Sequence, residues 1–250
     1  MQKENPKPAW EFPYFKGENP SLLVEFKKNA TFVPMKKSLL LITYLCLQSL
    51  LCMAQDDGFS IDTLNHEVFA RMQGWSFPKD CTLQRSDLRY LKVKHFDAQG
   101  REHQGELVCN KRIANDLIDI FRKLYKAHYP IERIKLIDDY HADDERSMTA
   151  NNTSCFCFRK IAGSKRLSKH SMGMAIDINP LQNPCVKKRS DGSLFVQPAA
   201  GRQYINPGKT TPYKIKKGDL CYQLFIEHGF SWGGNWRTTK DYQHFEKDVK

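Results

Sequence analysis

The chain has 250 residues and a formal net charge of +11. This length permits one ordinary domain with a sizeable core and leaves room for an extension. Hydrophobic content of 40% and aromatic content of 12% exclude a chain that is disordered throughout. The basic balance favours an anionic partner, but no basic run with interleaved aromatic residues marks a nucleic-acid module, so we expect no nucleic-acid partner.

The N-terminal part carries a secretory signal pattern. Met35–Lys37 forms a short basic region, an apolar stretch follows it, and Ala54 ends it with a small residue. The stretch is too short and too interrupted for a confident membrane-spanning helix. We therefore expect residues 1–34 to be a misassigned upstream extension and residues 35–54 to be a signal peptide. The rest would be exported, periplasmic or extracellular, with no stable membrane insertion after cleavage. An uncleaved anchor behind a real cytoplasmic extension is the alternative.

Six cysteines follow the predicted signal peptide. An even number in an exported chain permits three disulfides without fixing their pairing. Cys155 and Cys157 alternate about Phe156 as on one face of a strand, and structural or buried thiols are favoured there over catalytic ones. The six are Cys81, Cys109, Cys155, Cys157, Cys185 and Cys221.

The first predicted elements are an N-terminal arm and a hairpin. Residues 55–84 read as an arm with a short helical piece, before a domain over residues 85–250. Apolar and basic residues alternate over 88–96, which is typical of a half-buried strand. Turn residues follow, and 105–109 can return as the second arm of the hairpin.

The middle of the domain predicts a helix between two strands. Apolar residues recur at helical spacing over 113–128, behind a plausible N-cap at Asn110. We expect a strand over 131–137, then a polar loop rich in carboxylates, and a second strand over 153–161.

The C-terminal third predicts a long loop and three short elements. The loop spans residues 181–217, a length that suggests a cleft wall. A helix over 220–228 would end at Gly229. A glycine-rich aromatic turn over 231–236 and a closing strand over 242–246 complete the chain.

The stretch Leu167–Pro180 is the most informative in the sequence. Asp177 lies inside an apolar run, where a carboxylate is costly to bury unless it is paired, hydrogen-bonded or bound to a metal. His170 is the nearest co-ligand, and imidazole with carboxylate suits zinc. The natural third ligand is His244. Asp241, three residues before it, can reach the water-occupied position as a general base.

At these residues the sequence resembles the zinc D-alanyl-D-alanine carboxypeptidase and L-alanyl-D-glutamate endopeptidase family of bacterial cell-wall enzymes. The motifs that carry the resemblance stand in the family's order over about residues 85–250. They are Ser168-x-His170-x-x-Gly173-x-Ala175-x-Asp177, Asp241-x-x-His244, Asn151–Ser154, Asp177–Pro180 and Trp232–Trp236.

The resemblance implies a single catalytic domain of the α+β class. Its small antiparallel sheet with flanking helices would be shared with the hedgehog signalling domain. It implies one zinc ion held by His170, Asp177 and His244, and peptidoglycan stem peptides as the partner. Asp241 would be the general base and acid.

The family also suggests roles for three further residues. Arg159 is implied as an oxyanion or substrate-carboxylate partner, with Arg146 as a competitor for that role. Ser168 and Trp236 would shape the substrate site, although both could be structural.

Two departures from the family bear on specificity. Asn235 stands where relatives often carry Asp, and Asp241 stands where some carry Glu. The Asp form points towards the endopeptidase-like branch without fixing the cleaved bond, which could be D-Ala-D-Ala or L-Ala-D-Glu. A non-catalytic zinc module that binds the cell wall or signals is the alternative function, and a base at Asp241 argues against it. The sequence leaves the oligomeric state open.

Overall fold

The computed structural model describes residues 57–161, 164–206 and 208–248. These residues belong to one compact unit, Asp56–Lys250. Helices mixed with small, mostly antiparallel sheets confirm the predicted α+β class. The predicted signal peptide and upstream extension lie outside the described residues.

The N-terminal half is built on the predicted hairpin, joined by an additional strand. The strands are β1 (Ser60–Thr63), β2 (Leu88–Phe96) and β3 (Glu102–Asn110), in the order β1-β2-β3 with antiparallel pairing. Helix α1 (His66–Met72) follows β1 and buries Val68 and Met72 in a cluster with Leu88. The segment expected as an arm is therefore integrated into this fold.

Helix α2 (Ala114–Lys126) packs its apolar stripe into the main core, as its spacing predicted. Each such side chain contributes about 1.5–3 kcal/mol when fully buried, so this stripe is a principal source of stability. The fully buried members are Leu117, Ile120, Phe121 and Leu124.

The second half contains short elements that position the site. One antiparallel sheet has the order β6-β11-β9 and another has the order β10-β7-β8, while β4 and β5 form a parallel pair. The elements are β4 (Arg133–Ile134), α3 (Asp144–Thr149), β5 (Asn152–Thr153), β6 (Ala175–Asp177), β7 (Cys185–Lys188), β8 (Leu194–Gln197), α4 (Leu220–Glu227), β9 (Ser231–Trp232), β10 (Thr239–Asp241) and β11 (His244–Glu246).

Several predicted elements differ from the structure. The strand expected over 131–137 is reduced to β4, and the polar loop after it contains α3. The strand expected over 153–161 contracts to β5, because the residues after it pair only through isolated bridges such as Ser154 with Asp177. The long loop over 181–217 contains the hairpin of β7 and β8. The closing strand over 242–246 is shortened to β11, which lies between β6 and β9, and a separate strand, β10, precedes it and pairs with β7.

The six cysteines of the described residues are free thiols, so none of the disulfides that the cysteine count permits is formed among them. Four of the six are buried. Among the described helices, none is long and apolar enough to cross a membrane.

Candidate active site

Asp177 and His244 are brought together by strand register. They are direct partners across the antiparallel pair of β6 and β11, although 67 positions separate them in sequence. Facing partners have Cβ atoms about 4.5–5.5 Å apart, so the register alone puts the side chains within reach. The His244 Nδ1 to Asp177 Oδ1 distance is 3.0 Å.

His170 reaches the same point from a short 3-10 turn, Lys169–Met172. Ser168 caps this turn, since its hydroxyl accepts a hydrogen bond from the His170 N–H at 3.3 Å. Gly173 ends the turn at φ +64°, and a Cβ there would lie 2.6 Å from the backbone nitrogen of Asn110. The Asn110 N–H in turn donates to the carbonyl of Gly173 at 2.9 Å. The end of β3 thus fixes the turn that presents His170.

The outer nitrogen of each histidine is held by an oxygen. His170 Nδ1 lies 2.5 Å from the carbonyl oxygen of Cys155, and His244 Nε2 lies 3.0 Å from Glu246 Oε2. Because these oxygens accept, the outer nitrogens donate, and in the neutral rings the inner nitrogens carry lone pairs. This is the arrangement in which a second layer of acceptors orients metal-binding histidines.

Three donor atoms therefore face one point. The inner nitrogens, His170 Nε2 and His244 Nδ1, are 3.2 Å apart, and His170 Nε2 is 3.2 Å from Asp177 Oδ2. All three residues are buried, and their ligand atoms lie within 4.8 Å of one another. Two lone pairs and a carboxylate at this separation repel each other unless a cation lies among them.

The pKa values of Asp177 and His244 reflect the electrostatic interactions among these three side chains. Burial raises the pKa of Asp177, but His170 and His244 outweigh it and hold this pKa well below its usual range. Burial lowers the pKa of His244, but the hydrogen bonds with Asp177 and Glu246 outweigh it and raise the pKa to about 10. Because a metal and a proton compete for the same ring nitrogen, binding of a metal here would release the proton.

Asp241 lies beside this cluster without being one of its three members. It ends β10, opposite Cys185 of β7. Gly233 packs against it, because a Cβ at Gly233 would lie 2.6 Å from the Asp241 carbonyl oxygen. Asp241 Oδ1 is inaccessible and has no hydrogen-bond partner among the described residues. Burial, and then the charge of Asp177, raise the pKa of Asp241 to about 6 against the opposing effect of His244.

Of the two candidate arginines, Arg159 is the one coupled to the cluster. Its Nε lies 2.5 Å from Asp144 Oδ2, and the charges of Asp144 and Asp177 help to raise the pKa of Arg159 despite burial, which is the largest effect. Arg146 is exposed on α3 and contacts His141 at 3.4 Å. The geometry therefore favours Arg159 for contact with a ligand at the cluster.

The two residues expected to shape the substrate site differ in position. Ser168 is buried, and its hydroxyl accepts the hydrogen bond from the His170 N–H that caps the turn. Trp236 is half-buried, and its ring lies 5.4 Å from the ring of His244 between centroids. Trp236 can therefore contact a bound substrate, whereas Ser168 acts on the position of His170.

Residues of the other sequence motifs hold the strands around the site in place. Asn179 is fully buried and at φ +46°, and its side chain bonds the backbone of Glu132 and Pro130 at 3.0 Å each. Its N–H donates to Thr153 Oγ1 at 3.1 Å. Trp232 is buried and its indole N–H donates to the carbonyl of Tyr242 at 2.9 Å. These residues position β6 and β10.

Sequence reasoning missed Glu246 and Asp144. Glu246 had a usable signal, since residues two apart on a strand share a face and Glu246 follows His244 at that offset. Asp144 lay in the acidic segment read as a solvated loop. Only the folded chain shows that α3 carries it to Arg159.

Comparison with known protein families gave a match over the C-terminal part of the chain. Residues 162–247 match the model of a peptidase family described as D-alanyl-D-alanine carboxypeptidase, a segment that contains His170, Asp177, Asp241 and His244. This match confirms the resemblance that the sequence motifs indicated. Searches of curated proteins and of solved structures gave no match.

Proposed function

We propose that this chain, a peptidase of the D-alanyl-D-alanine carboxypeptidase type by its family match, is an exported zinc enzyme that hydrolyses amide bonds in peptidoglycan stem peptides. The observation that carries the proposal is the convergence of two imidazole nitrogens, 3.2 Å apart, on the two carboxylate oxygens of Asp177, at 3.0 Å and 3.2 Å, with the buried carboxylate of Asp241 beside them.

The donor set fits zinc. A tetrahedron with metal–ligand bonds of about 2.0 Å has edges of about 3.3 Å, close to the 3.2 Å between the two inner imidazole nitrogens. Two histidines and one carboxylate leave a fourth position open, as in catalytic sites. His170, Asp177 and His244 would hold the ion.

A bound zinc ion would lower the pKa of a water molecule and polarise the substrate carbonyl. Asp241 would take the proton from the attacking water and deliver it to the leaving amine. Its raised pKa suits both duties, since a base near the working pH can also act as an acid. Arg159, oriented by Asp144, would bind a substrate carboxylate or the developing oxyanion.

The bond that the enzyme hydrolyses is either D-Ala-D-Ala or L-Ala-D-Glu in this proposal. The presence of Asp rather than Glu at position 241 supports the endopeptidase-like branch. Export is supported by the signal pattern at residues 35–54.

The test is to incubate the purified zinc-loaded protein with defined muropeptides and to identify the products by mass. We expect cleavage that a chelator stops and added zinc restores. His244→Ala should abolish it, whereas His66→Ala, at an exposed histidine of α1, should not. A protein that binds zinc and leaves every muropeptide intact would contradict the enzyme proposal and support a non-catalytic wall-binding module.

A further inference from the structure

A cavity of about 390 Å³ lies on the face of β10 opposite the side chain of Asp241. Successive residues of a strand point to opposite faces, and Lys240 and Tyr242, on either side of Asp241, both line this cavity. Val186, the partner of Lys240 across β7 and β10, lines it too. None of the proposed zinc ligands contributes to its wall, so β10 separates it from the metal cluster.

Apolar side chains and lysine side chains together line the cavity. Its volume lies within the range of about 300–1,000 Å³ that is usual for small-molecule sites. The apolar and aromatic lining consists of Pro184, Val186, Tyr204, Ile205, Ile215, Trp232 and Tyr242. The cationic lining consists of Lys214, Lys216, Lys217 and Lys240.

Two of the lysines are held in position without being neutralised. Lys214 Nζ donates to the carbonyl of Tyr204 at 3.0 Å, and Lys240 Nζ donates to the carbonyl of Gly234 at 3.2 Å. Burial and the nearby charge of Lys216 lower the pKa of Lys214. Within the described part of the chain, the salt bridges do not include any of the four lining lysines.

We propose that this cavity is a second binding site for a peptide that ends in a free carboxylate next to a small apolar side chain. The lysines supply the charge that a carboxylate needs, and the apolar floor favours an anion with an organic body over a hydrated inorganic one. The wall contains no arginine fork of the kind that binds phosphate bidentately. The choice of a peptide rests on the proposed function, because stem-peptide ends carry this chemistry.

The test is a calorimetric titration of the full chain carrying Arg159→Gln, kept in chelator, so that neither a metal nor the arginine proposed to bind the substrate carboxylate can hold the acid at the active site. The probes are N-acetyl-D-alanyl-D-alanine and the same dipeptide with a C-terminal amide. We expect saturable binding of one acid per chain and at least 10-fold weaker binding of the amide. Equal binding of acid and amide, or absence of binding, would overturn the proposal.

Matched variants locate the site. Lys214→Gln combined with Lys240→Gln should weaken binding of the acid at least 10-fold, whereas Lys79→Gln combined with Lys126→Gln removes the same charge at exposed positions outside the cavity and should change it little. If the first pair fails to fold, Lys216→Gln with Lys217→Gln repeats the test at exposed rim positions. Equal losses in cavity and control variants would overturn the assignment. Because hydrolysis is blocked throughout, failure of the proposed peptidase activity would appear only in the muropeptide assay.

Discussion

At the scale of single residues, the site combines groups whose environments push their pKa values apart. Asp177 is held ionised by two histidines, whereas burial raises the pKa of Asp241 to about 6. One carboxylate is therefore suited to hold a cation and the other to exchange a proton. The residue types and spacing of these groups could be read from the sequence, but their different burial could not.

Asp241→Asn tests the proton-transfer role. We expect kcat to fall by about 100-fold or more, the usual contribution of a general base, with zinc binding retained. Because Asp241 Oδ1 is buried without a partner, removal of the charge should leave the protein equally stable or more stable. Thermal unfolding and kcat on a muropeptide measure the two effects. A stable variant with full activity would exclude the role.

The pH dependence of kcat/KM follows from the same residue. The base acts as a carboxylate, and its folded-state pKa is raised to about 6, so protons inactivate it as the pH falls through that value. Because a bound zinc ion would lower this pKa, we expect an acidic limb at or below pH 6 in the wild type and its absence from the residual activity of Asp241→Asn. The same limb in both proteins would assign it to another group.

Glu246 is expected to act through His244. Glu246→Ala leaves His244 Nε2 without its 3.0 Å partner, and zinc affinity should fall by about 10–100-fold. Glu246→Gln keeps an acceptor oxygen and should lose less. Competition with a chromogenic chelator gives the affinities, and Glu227→Ala, at an exposed position of α4, is the control. Equal affinities in all variants would contradict the positioning role.

At the scale of elements, short turns and register decide where the ligands meet. The hairpin of β2 and β3 and helix α2 could be predicted, because their periodicity extends over nine or more residues. The elements at the site have two to four residues, too few for periodicity to show. The separate strand β10, just before the predicted closing strand, depends on its pairing with β7, which local sequence does not encode.

Gly173→Ala tests the turn that presents His170. The substitution combines a positive φ with a 2.6 Å approach to the backbone of Asn110, so we expect a loss of about 2–4 kcal/mol in the free energy of unfolding. Zinc affinity should fall with it, since His170 must move.

The control is Gly192→Ala. Its φ is +83°, and a Cβ there would meet nothing within 4 Å, so only the backbone strain of about 1 kcal/mol applies. Denaturant unfolding compares the two. Equal losses would show that the contact with Asn110 is unimportant.

At the scale of the whole molecule, stability comes from packing. The six cysteines of the described residues are free, although their even number, in a chain predicted to be exported, permitted disulfides. Burial raises the pKa of Cys109 and Cys155, which makes their thiols slow to ionise and react. The number of cysteines and the predicted compartment indicate only that disulfides are possible. Whether two cysteines pair depends on the distance between them in the folded chain.

A reducing agent should therefore leave the unfolding temperature unchanged within about 1–2 °C. A disulfide contributes about 2–4 kcal/mol, which for a unit of this size corresponds to several degrees. Scanning calorimetry with and without reductant measures this. A fall of several degrees on reduction would show that a disulfide forms.

The pairing of β6 with β11 also orders events during synthesis. His170 and Asp177 leave the ribosome early, and His244 follows 67 positions after Asp177. A nascent chain that stops before β11 carries two of the three ligands and lacks the strand that lies between β6 and β9. Hydrolytic competence would thus arise only after nearly the whole unit has been translated, so truncated products would lack a complete metal site.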